Sequence, residues 1–340
     1  MENKIENNII KAQVVAVHRE LFKVACEYGE KDAILKSSIY FNEVQVETFP
    51  TVGDFVEIEY NKDGVSRIIK TMERRTYFSR KDPDEGKGEQ AVAANFDYVG
   101  IVTSMNHDFN INRMERYLTV AWQSGAQPII ILTKADLIEE TAFYIDQLAY
   151  AAVGVEIIPV SAKTGYGLES LRKYMGSGKT IVFMGSSGVG KSTLINALAG
   201  CDVMDTGDIR ENDSKGRHTT THREMIELPT GAKVIDTPGM RELGMWDVSI
   251  GLGETFQDIE ELIGECKFSN CSHNNEPGCK INEALSEGNL SEERWKRYLS
   301  LKREAKYVEK KALMKVTSER KNNRVKVYQR NKKVTFNEFD

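Results

Sequence analysis

The spacing of apolar and polar positions changes rhythm twice along the chain. Between residues 9 and 72, the runs IIKAQVVAV, LFKVACEY, DAILK, DFVEIEY and GVSRIIKTM are short, and several alternate apolar with polar residues. Alternation at every second position marks a half-buried strand, and Gly29, Gly53 and the polar stretch 61–64 punctuate the runs as turns. Five short strands in this span predict a small β-barrel. An oligonucleotide-binding (OB) topology and an SH3-like one both fit the pattern. Residues 73–95 are charged, contain Pro83 and two glycines and lack periodicity, which predicts a linker.

From Phe96 the apolar runs become continuous. FDYVGIVTSM, QPIIILT, VEIIPVSA, TIVFMG and AKVIDTPG read as buried strands. Helical stretches at 113–123, 137–152, 167–175 and 191–198 separate most of them. Strands alternating with helices predict a parallel sheet covered on both faces. After about residue 245 the strands stop, and 254–264 and 291–320 read as helices. The pattern therefore predicts a multidomain α/β chain with a barrel at 1–72, a linker at 73–95, an α/β domain at 96–245 and a helical domain at 246–340.

Composition adds a charge asymmetry. The 340 residues carry a net charge of -5. Residues 290–333 hold 16 Lys/Arg against 5 Asp/Glu, so the rest of the chain carries -16. A basic tail on an acidic body points to a polyanionic partner such as RNA, although a solvated charged helix has the same balance. Trp295, Tyr298, Tyr307 and Tyr328 lie in that segment, placed either to stack on bases or to pack between helices. The apolar runs are too short to span a bilayer, and the polar start MENKIENNII lacks the apolar stretch of a signal peptide. The expected compartment is the cytoplasm.

Gly185-Ser186-Ser187-Gly188-Val189-Gly190-Lys191-Ser192 has the form G-x-x-x-x-G-K-S, follows an apolar strand and opens a helix with Thr193. Glycines let backbone N–H groups turn inward around phosphate oxygens, and the helix N-terminus adds positive partial charge. Lys191 is placed to reach the β- and γ-phosphates, and the Ser192 hydroxyl to ligand Mg²⁺. Asp236 and Gly239, in the D-T-P-G run at 236–239, offer a carboxylate for Mg²⁺ and an N–H for the γ-phosphate. Thr219 or Thr220, in the H-T-T-T run at 218–221, offers a further hydroxyl to Mg²⁺. Met240 stands where Ras-like enzymes carry the Gln that orients water, which leaves His218 as a candidate for that role.

Base selection is expected from Thr133, Lys134, Ala135 and Asp136, at the end of the IIIL strand. The Asp136 carboxylate accepts two hydrogen bonds from the N1–H and N2–H₂ edge of guanine. Adenine has no donor at N1, so the acceptor would go unpaired, at a cost of about 1–3 kcal/mol. Lys134 covers the purine ring, and Ser161, Ala162 and Lys163 follow the next strand as a second base-contacting turn. Thr133 stands where the commoner residue is Asn, and it lacks the amide that would brace the loop. An unrelated ATPase, or a non-catalytic RNA-binding zinc protein, shares parts of this set. Asp136 speaks against the first, and Lys191, Ser192 and Asp236 against the second.

Cys266-x₄-Cys271-x-His273-x₅-Cys279 places three thiols and an imidazole within 14 residues. In a reducing compartment this donor set suits one tetrahedral structural Zn²⁺. Cys26 and Cys201 stand apart in apolar surroundings and read as small core residues.

The base-reading elements precede the phosphate loop, and the Thr run and D-T-P-G follow it. That order resembles circularly permuted GTPases. With the β-rich start, G-R-H-T-T-T at 216–221, A-N-F-D at 94–97 and the Cys/His cluster, the chain resembles the ribosome small subunit-dependent GTPase family RsgA over nearly its whole length. The resemblance implies an OB-like barrel, a circularly permuted P-loop GTPase domain and a C-terminal zinc domain. It also implies GTP hydrolysis stimulated by the small ribosomal subunit, late in that subunit's maturation, with rRNA as partner. Nothing in the chain suggests a dimer seam, and a monomer is expected.

Overall fold

The computed structural model describes residues 8–18, 21–36, 49–81, 89–106, 108–204, 223–236, 249–310 and 314. The chain forms two compact units, Met1–Gly244 and Met245–Asp340.

The first unit begins with β1 (Ile9–His18), β2 (Leu21–Cys26), β3 (Gly29–Leu35), β4 (Phe55–Glu59) and β5 (Ser66–Thr71). They close into a ring in the order β1-β2-β3-β5-β4, with β4 returning to β1. All pairs are antiparallel except β3 with β5, where Ala33 faces Ser66. Period-two alternation turns Val14, Val24, Val56, Ile58 and Ile68 into a fully buried core. Register shifts at 14/16 on β1 and 57/58 on β4 supply the bends that closure needs.

Residues 73–95 are not an irregular linker. Strands β6 (Tyr77–Lys81) and β7 (Glu89–Ala94) pair as an antiparallel ribbon. The preceding Arg74 forms a two-pronged pair with Asp54, Nε to Oδ1 and Nη2 to Oδ2, both 2.8 Å. Asp54 is fully buried and also accepts from the Thr51 N–H. Burial pushes its carboxyl up from the ordinary value, and the Arg74 guanidinium opposes that shift. Asn95 adopts a left-handed backbone (φ 55°), and its amide donates to the Gly53 carbonyl while accepting from the Arg75 N–H. Gly53 is required there, because a Cβ would stand 1.9 Å from the Ala94 oxygen. The A-N-F-D run thus locks the barrel's 51–54 turn to the ribbon. Its Asp97 accepts from the Thr180 N–H at the start of the next sheet.

That sheet contains β8 (Tyr98–Ser104), β9 (Gln127–Thr133), β10 (Glu156–Pro159), β11 (Thr180–Met184), β12 (Arg223–Glu227) and β13 (Lys233–Asp236), in the order β10-β9-β8-β11-β13-β12. All neighbours are parallel except β12 with β13. β12 pairs with β1 at Ala16–Glu224 and Val17–Arg223, joining barrel and sheet. β12 lies at the edge of a stretch too polar to read as a strand from sequence. Four helices accompany the sheet: α1 (Ile111–Gln123), α2 (Ala142–Ala149), α3 (Leu168–Arg172) and α4 (Lys191–Ala199). α1 is capped by the Asn110 side chain, which accepts from the Arg113 N–H at 3.0 Å. The 137–152 stretch is helical only over α2, because a 3₁₀ turn (Ala135–Leu137) occupies its start. Cys26 is half-buried at the end of β2 and packs against the barrel core, whereas Cys201 is exposed just after the Gly200 cap of α4 and is not a core residue. Cys201 sits where an element ends, and apolar sequence neighbours do not bury such a position.

The second unit is helical. α5 (Ser249–Thr255), α6 (Gln257–Gly264), α7 (Lys280–Glu287) and a long α8 (292–310) replace the two helices expected. Phe256, Ile259, Ile281 and Tyr298 are fully buried. Arg294 grips Asp258 through two bonds of 2.7 and 2.8 Å, and its guanidinium lies 4.9 Å from the Phe256 ring centre. Tyr298 donates to Glu260, and burial raises its pKa. Trp295 stacks on Tyr298. These two aromatics of the basic segment therefore serve helix packing, while Tyr307 is exposed. Tyr328 lies outside the described residues. Among the described residues, no helix is long and apolar enough to cross a membrane.

Arg74→Met would leave the Asp54 carboxylate buried without its partner. A loss of about 3–5 kcal/mol is expected in urea denaturation, with most of it recovered when Asp54 is also made apolar.

Candidate functional site

Parallel pairing puts the carboxyl ends of β8, β9, β10, β11 and β13 on one edge of the sheet. The chain runs outward from β8 to β9 and β10, then returns to lay β11 and β13 on the other side of β8. A reversal of this kind opens a crevice beyond the strand ends, where ligands of open α/β sheets bind.

The loop from Gly185 to Ser192 leaves β11 into this crevice. A Cβ on Gly185 would stand 2.3 Å from the Val102 oxygen of β8, so the loop's first turn admits only glycine. Gly188 and Gly190 have left-handed backbones (φ 76° and 95°). Gly190 caps α4, whose N-terminus carries the positive end of the helix dipole. Lys191 folds over its own loop, with Nζ donating to the Gly185 and Ser186 carbonyls at 2.8 and 2.6 Å. Ser192 is half-buried at the helix start and Thr193 is exposed.

The turn after β9 lies against this loop. The Thr133 hydroxyl, nearly fully buried, stands 2.5 Å from the Val189 carbonyl and 3.2 Å from that of Thr103. The expectation that Thr133 leaves the loop without a brace is therefore corrected: its hydroxyl reaches the loop backbone. Lys134, with a left-handed backbone (φ 63°), donates from Nζ to the Gly188 carbonyl at 3.1 Å. The Ala135 N–H donates to the Val160 carbonyl beyond β10. Ser161, fully buried, donates from Oγ to Asp136 Oδ1 at 2.7 Å. That hydrogen bond holds the Asp136 carboxyl below its ordinary value, with Lys163 assisting. Ala162 and Lys163 continue the turn, which the Thr164 N–H closes onto Ser161 Oγ. Thr133, Lys134, Asp136 and Ser161 thus gather at one crevice with the phosphate-type loop. Asp236 ends β13 opposite Glu224. His218, Thr219, Thr220 and Gly239 lie outside the described residues.

The second unit brings Cys266, Cys271, His273 and Cys279 together, their ligand atoms all within 4.8 Å of one another. His273 Nδ1 stands 3.7 Å from Cys266 Sγ and 3.5 Å from Cys279 Sγ. Ligands on a tetrahedral Zn²⁺ at Zn–S of about 2.3 Å would be separated by roughly 3.5–3.8 Å, so the donors fit with small adjustments. His273, Asn275 and Gly278 all have positive φ, which folds the loop back on itself. Cys279 is the N-cap residue of α7. Burial pushes the Cys271 thiol up to about 11, a cost that a bound cation offsets. Glu276 was missed in the sequence. Its carboxylate accepts from the Ser272 hydroxyl and from the N–H groups of Ser272 (2.9 Å) and Asn274 (2.7 Å), which hold its pKa down at about 2. A lone Glu inside a Cys/His loop carries no signal of that role.

A family model described as RsgA GTPase matches residues 71–246. A Listeria monocytogenes protein named small ribosomal subunit biogenesis GTPase RsgA 1 is 50% identical over 306 residues, 90% of this chain and 86% of the relative. The chain belongs to the RsgA GTPase family. A Methanosarcina acetivorans RsgA is 42% identical, over 85% of this chain and 79% of its own. The crystal structure of YjeQ from Thermotoga maritima superposes with a TM-score of 0.65 at 25% identity, over 86% of this chain and 97% of that one. A second solved structure, YloQ, titled a circularly permuted GTPase, shares the fold with a TM-score of 0.62 at 24% identity, over 90% of this chain and 98% of its own. As an RsgA GTPase the protein is a GTP hydrolase.

In this RsgA GTPase the Thr133 hydroxyl is a direct tie, beside that of Lys134, between the 133–136 turn and the 185–192 loop. Thr133→Val keeps the side-chain volume and removes that tie. It is expected to cost about 1–2 kcal/mol of stability in urea denaturation and to weaken fluorescent GDP binding about tenfold.

Proposed function

We propose that the protein hydrolyses GTP in the crevice between β8 and β11 in the course of small ribosomal subunit biogenesis, the role printed in the names of its relatives. One observation carries the nucleotide reading. Thr133 and Val189, 56 positions apart and in permuted order, meet through a 2.5 Å hydrogen bond. That contact seats a guanine-reading turn beside a phosphate loop. The 185–192 loop, with Thr193, cradles the phosphates through backbone N–H groups. Lys191 leaves its carbonyl partners for the β- and γ-phosphates, a charge-assisted exchange. Asp136, with Thr133, Lys134 and Ala135, reads the guanine edge, and the turn of Ser161, Ala162 and Lys163 backs it. Ser192 and Asp236, with Thr219 or Thr220, would hold Mg²⁺, which offsets the phosphate charge. Gly239 would offer its N–H to the γ-phosphate, and His218 would position water.

The proposed domains are an OB-like barrel at 1–72, a ribbon-bearing connection at 73–95, the permuted GTPase domain at 96–245 and a zinc domain at 246–340. The ring order β1-β2-β3-β5-β4 supports the OB-like reading over the SH3-like one. The cluster at 266–279 takes one structural Zn²⁺, since four protein donors leave no open position. The barrel and the basic segment contact rRNA, the chain acts as a monomer, and the cytoplasm follows from a ribosomal partner.

Turnover with and without purified small subunits tests the role. Slow hydrolysis is expected alone, with a rise of at least about tenfold when subunits are added. No change on addition would remove the ribosomal reading, and equal competition by ATP and GTP for the site would remove the guanine reading.

The Ser161 contact gives a pH signature. Guanine recognition needs the Asp136 carboxylate ionised, so affinity falls as pH drops through its pKa. That pKa is held below the ordinary range by the Ser161 hydroxyl. Ser161→Ala releases it upward, and the acid limb of GDP affinity is expected to begin at a higher pH than in wild type, with neutral-pH affinity less affected.

A further inference from the structure

The outer face of α2 is more apolar than solvation alone calls for. The inner side of this segment is narrow: Leu148 is fully buried, with Ala151 and Ala152 just beyond the helix end. Phe143 and Tyr150 stand seven positions apart, on one helical face. They are 59% and 79% exposed. Leu137 before the helix and Val153 after it are also exposed. Single exposed apolar side chains are ordinary, but four within the 17 residues 137–153 form a patch that calls for a partner. The patch is acidic as well. Asp146 lies between the two aromatics on the same face, Glu139 and Glu140 precede the helix, and no Lys or Arg occurs from 135 to 160.

We propose that this face docks a basic polypeptide segment bearing apolar side chains, belonging to a protein of the small ribosomal subunit. The proposal rests on the ribosomal reading above. Charge selects the occupant. RNA phosphates would meet three carboxylates with no compensating cation in the segment, the reverse of a nucleic-acid footprint. A second copy of this chain, docked through the same face, would set like charges against each other across the two-fold axis. A basic segment pairs Lys and Arg with Asp146, Glu139 and Glu140 while its apolar side chains cover Phe143 and Tyr150, the aromatic-centred arrangement of protein interfaces. The location gives the contact a consequence. Leu137 closes the 3₁₀ turn that carries Asp136, so an occupant of the patch touches the guanine-reading turn directly.

The test uses the full chain with a non-hydrolysable GTP analogue, purified small subunits and, separately, protein-free rRNA from those subunits. A double variant, Phe143→Ser with Tyr150→Ser, removes only exposed side chains. Asp146→Lys reverses the charge and keeps the aromatics. Both are expected to sediment with subunits at least about tenfold more weakly than wild type, while subunit-free GTP turnover, thermal midpoint and binding to protein-free rRNA stay unchanged. Subunit binding equal to wild type in both variants would overturn the proposal. An equal loss on protein-free rRNA would overturn it in favour of RNA, and a wild-type dimer dispersed by the variants in favour of a second copy. Wild-type protein that fails to bind subunits at all would instead overturn the ribosomal reading, and the proposal with it.

Discussion

Strand β8 is hydrogen-bonded to β9 on one side and β11 on the other, and both run parallel to it. This double parallel pairing is the constraint from which the site follows. A parallel sheet sends every strand's carboxyl end to one edge, whatever the order in which the strands are made. The 133–136 and 161–163 turns leave β9 and β10, and the 185–192 loop leaves β11. All reach the same crevice although the first two come earlier in the chain. Permutation therefore changes the connections and leaves the site intact. It also makes β8 the first strand of the sheet, which explains the A-N-F-D run just before it. Asp97 anchors β8 to Thr180 at the start of β11, and Asn95 anchors the barrel turn at Gly53. Barrel and nucleotide sheet are registered by the residues that begin the permuted domain.

The glycine loop at 185–192 and the gathering of Cys266, Cys271, His273 and Cys279 were legible because both are set by local spacing, and the loop also by glycines that leave no room for a side chain. Gly185 is the plainest case, with the Val102 carbonyl in the space a side chain would need. The barrel was legible from alternation, but its topology was not. Ring order depends on β3 meeting β5, and no local pattern records which strand pairs with which. The 73–95 stretch was misread for a related reason. Its ribbon is held by partners distant in sequence, Asp54 for Arg74 and Gly53 for Asn95, and its own composition is that of a loop. Thr133 shows a third limit. Read against Asn it is a loss, yet the hydroxyl finds the Val189 carbonyl because β9 ends where it does beside β11.

Lys191 is held by its own loop. Its ammonium sits on two carbonyls of its own loop, which satisfies the charge and holds the loop closed around it. In the proposed exchange a phosphate oxygen would bring a full negative charge to the ammonium where the carbonyls bring only dipoles. Thr133 and Lys134 hold the same loop from the other side, at Val189 and Gly188. The 185–192 loop and the 133–136 turn are therefore mechanically coupled, and a change at either is felt by the other.

The charge distribution extends this to partners. The chain's negative total conceals a basic α8 segment in the second unit and a cation-free, aromatic stretch around α2 in the first. A surface meant only for RNA would be basic throughout, because counterion release rewards every added cation. Acidic residues beside exposed aromatics instead weaken RNA contact and strengthen contact with basic protein. A ribosomal subunit offers both kinds of surface. On the proposed reading, RNA and protein would be met by different segments, and the acidic stretch adjoins the Ala135–Leu137 turn. The proposed docking at α2 and the proposed base contact would then share Leu137 and Asp136. Any preference of the partner for one nucleotide state is, by reciprocity of linkage, a preference of that turn for the partner.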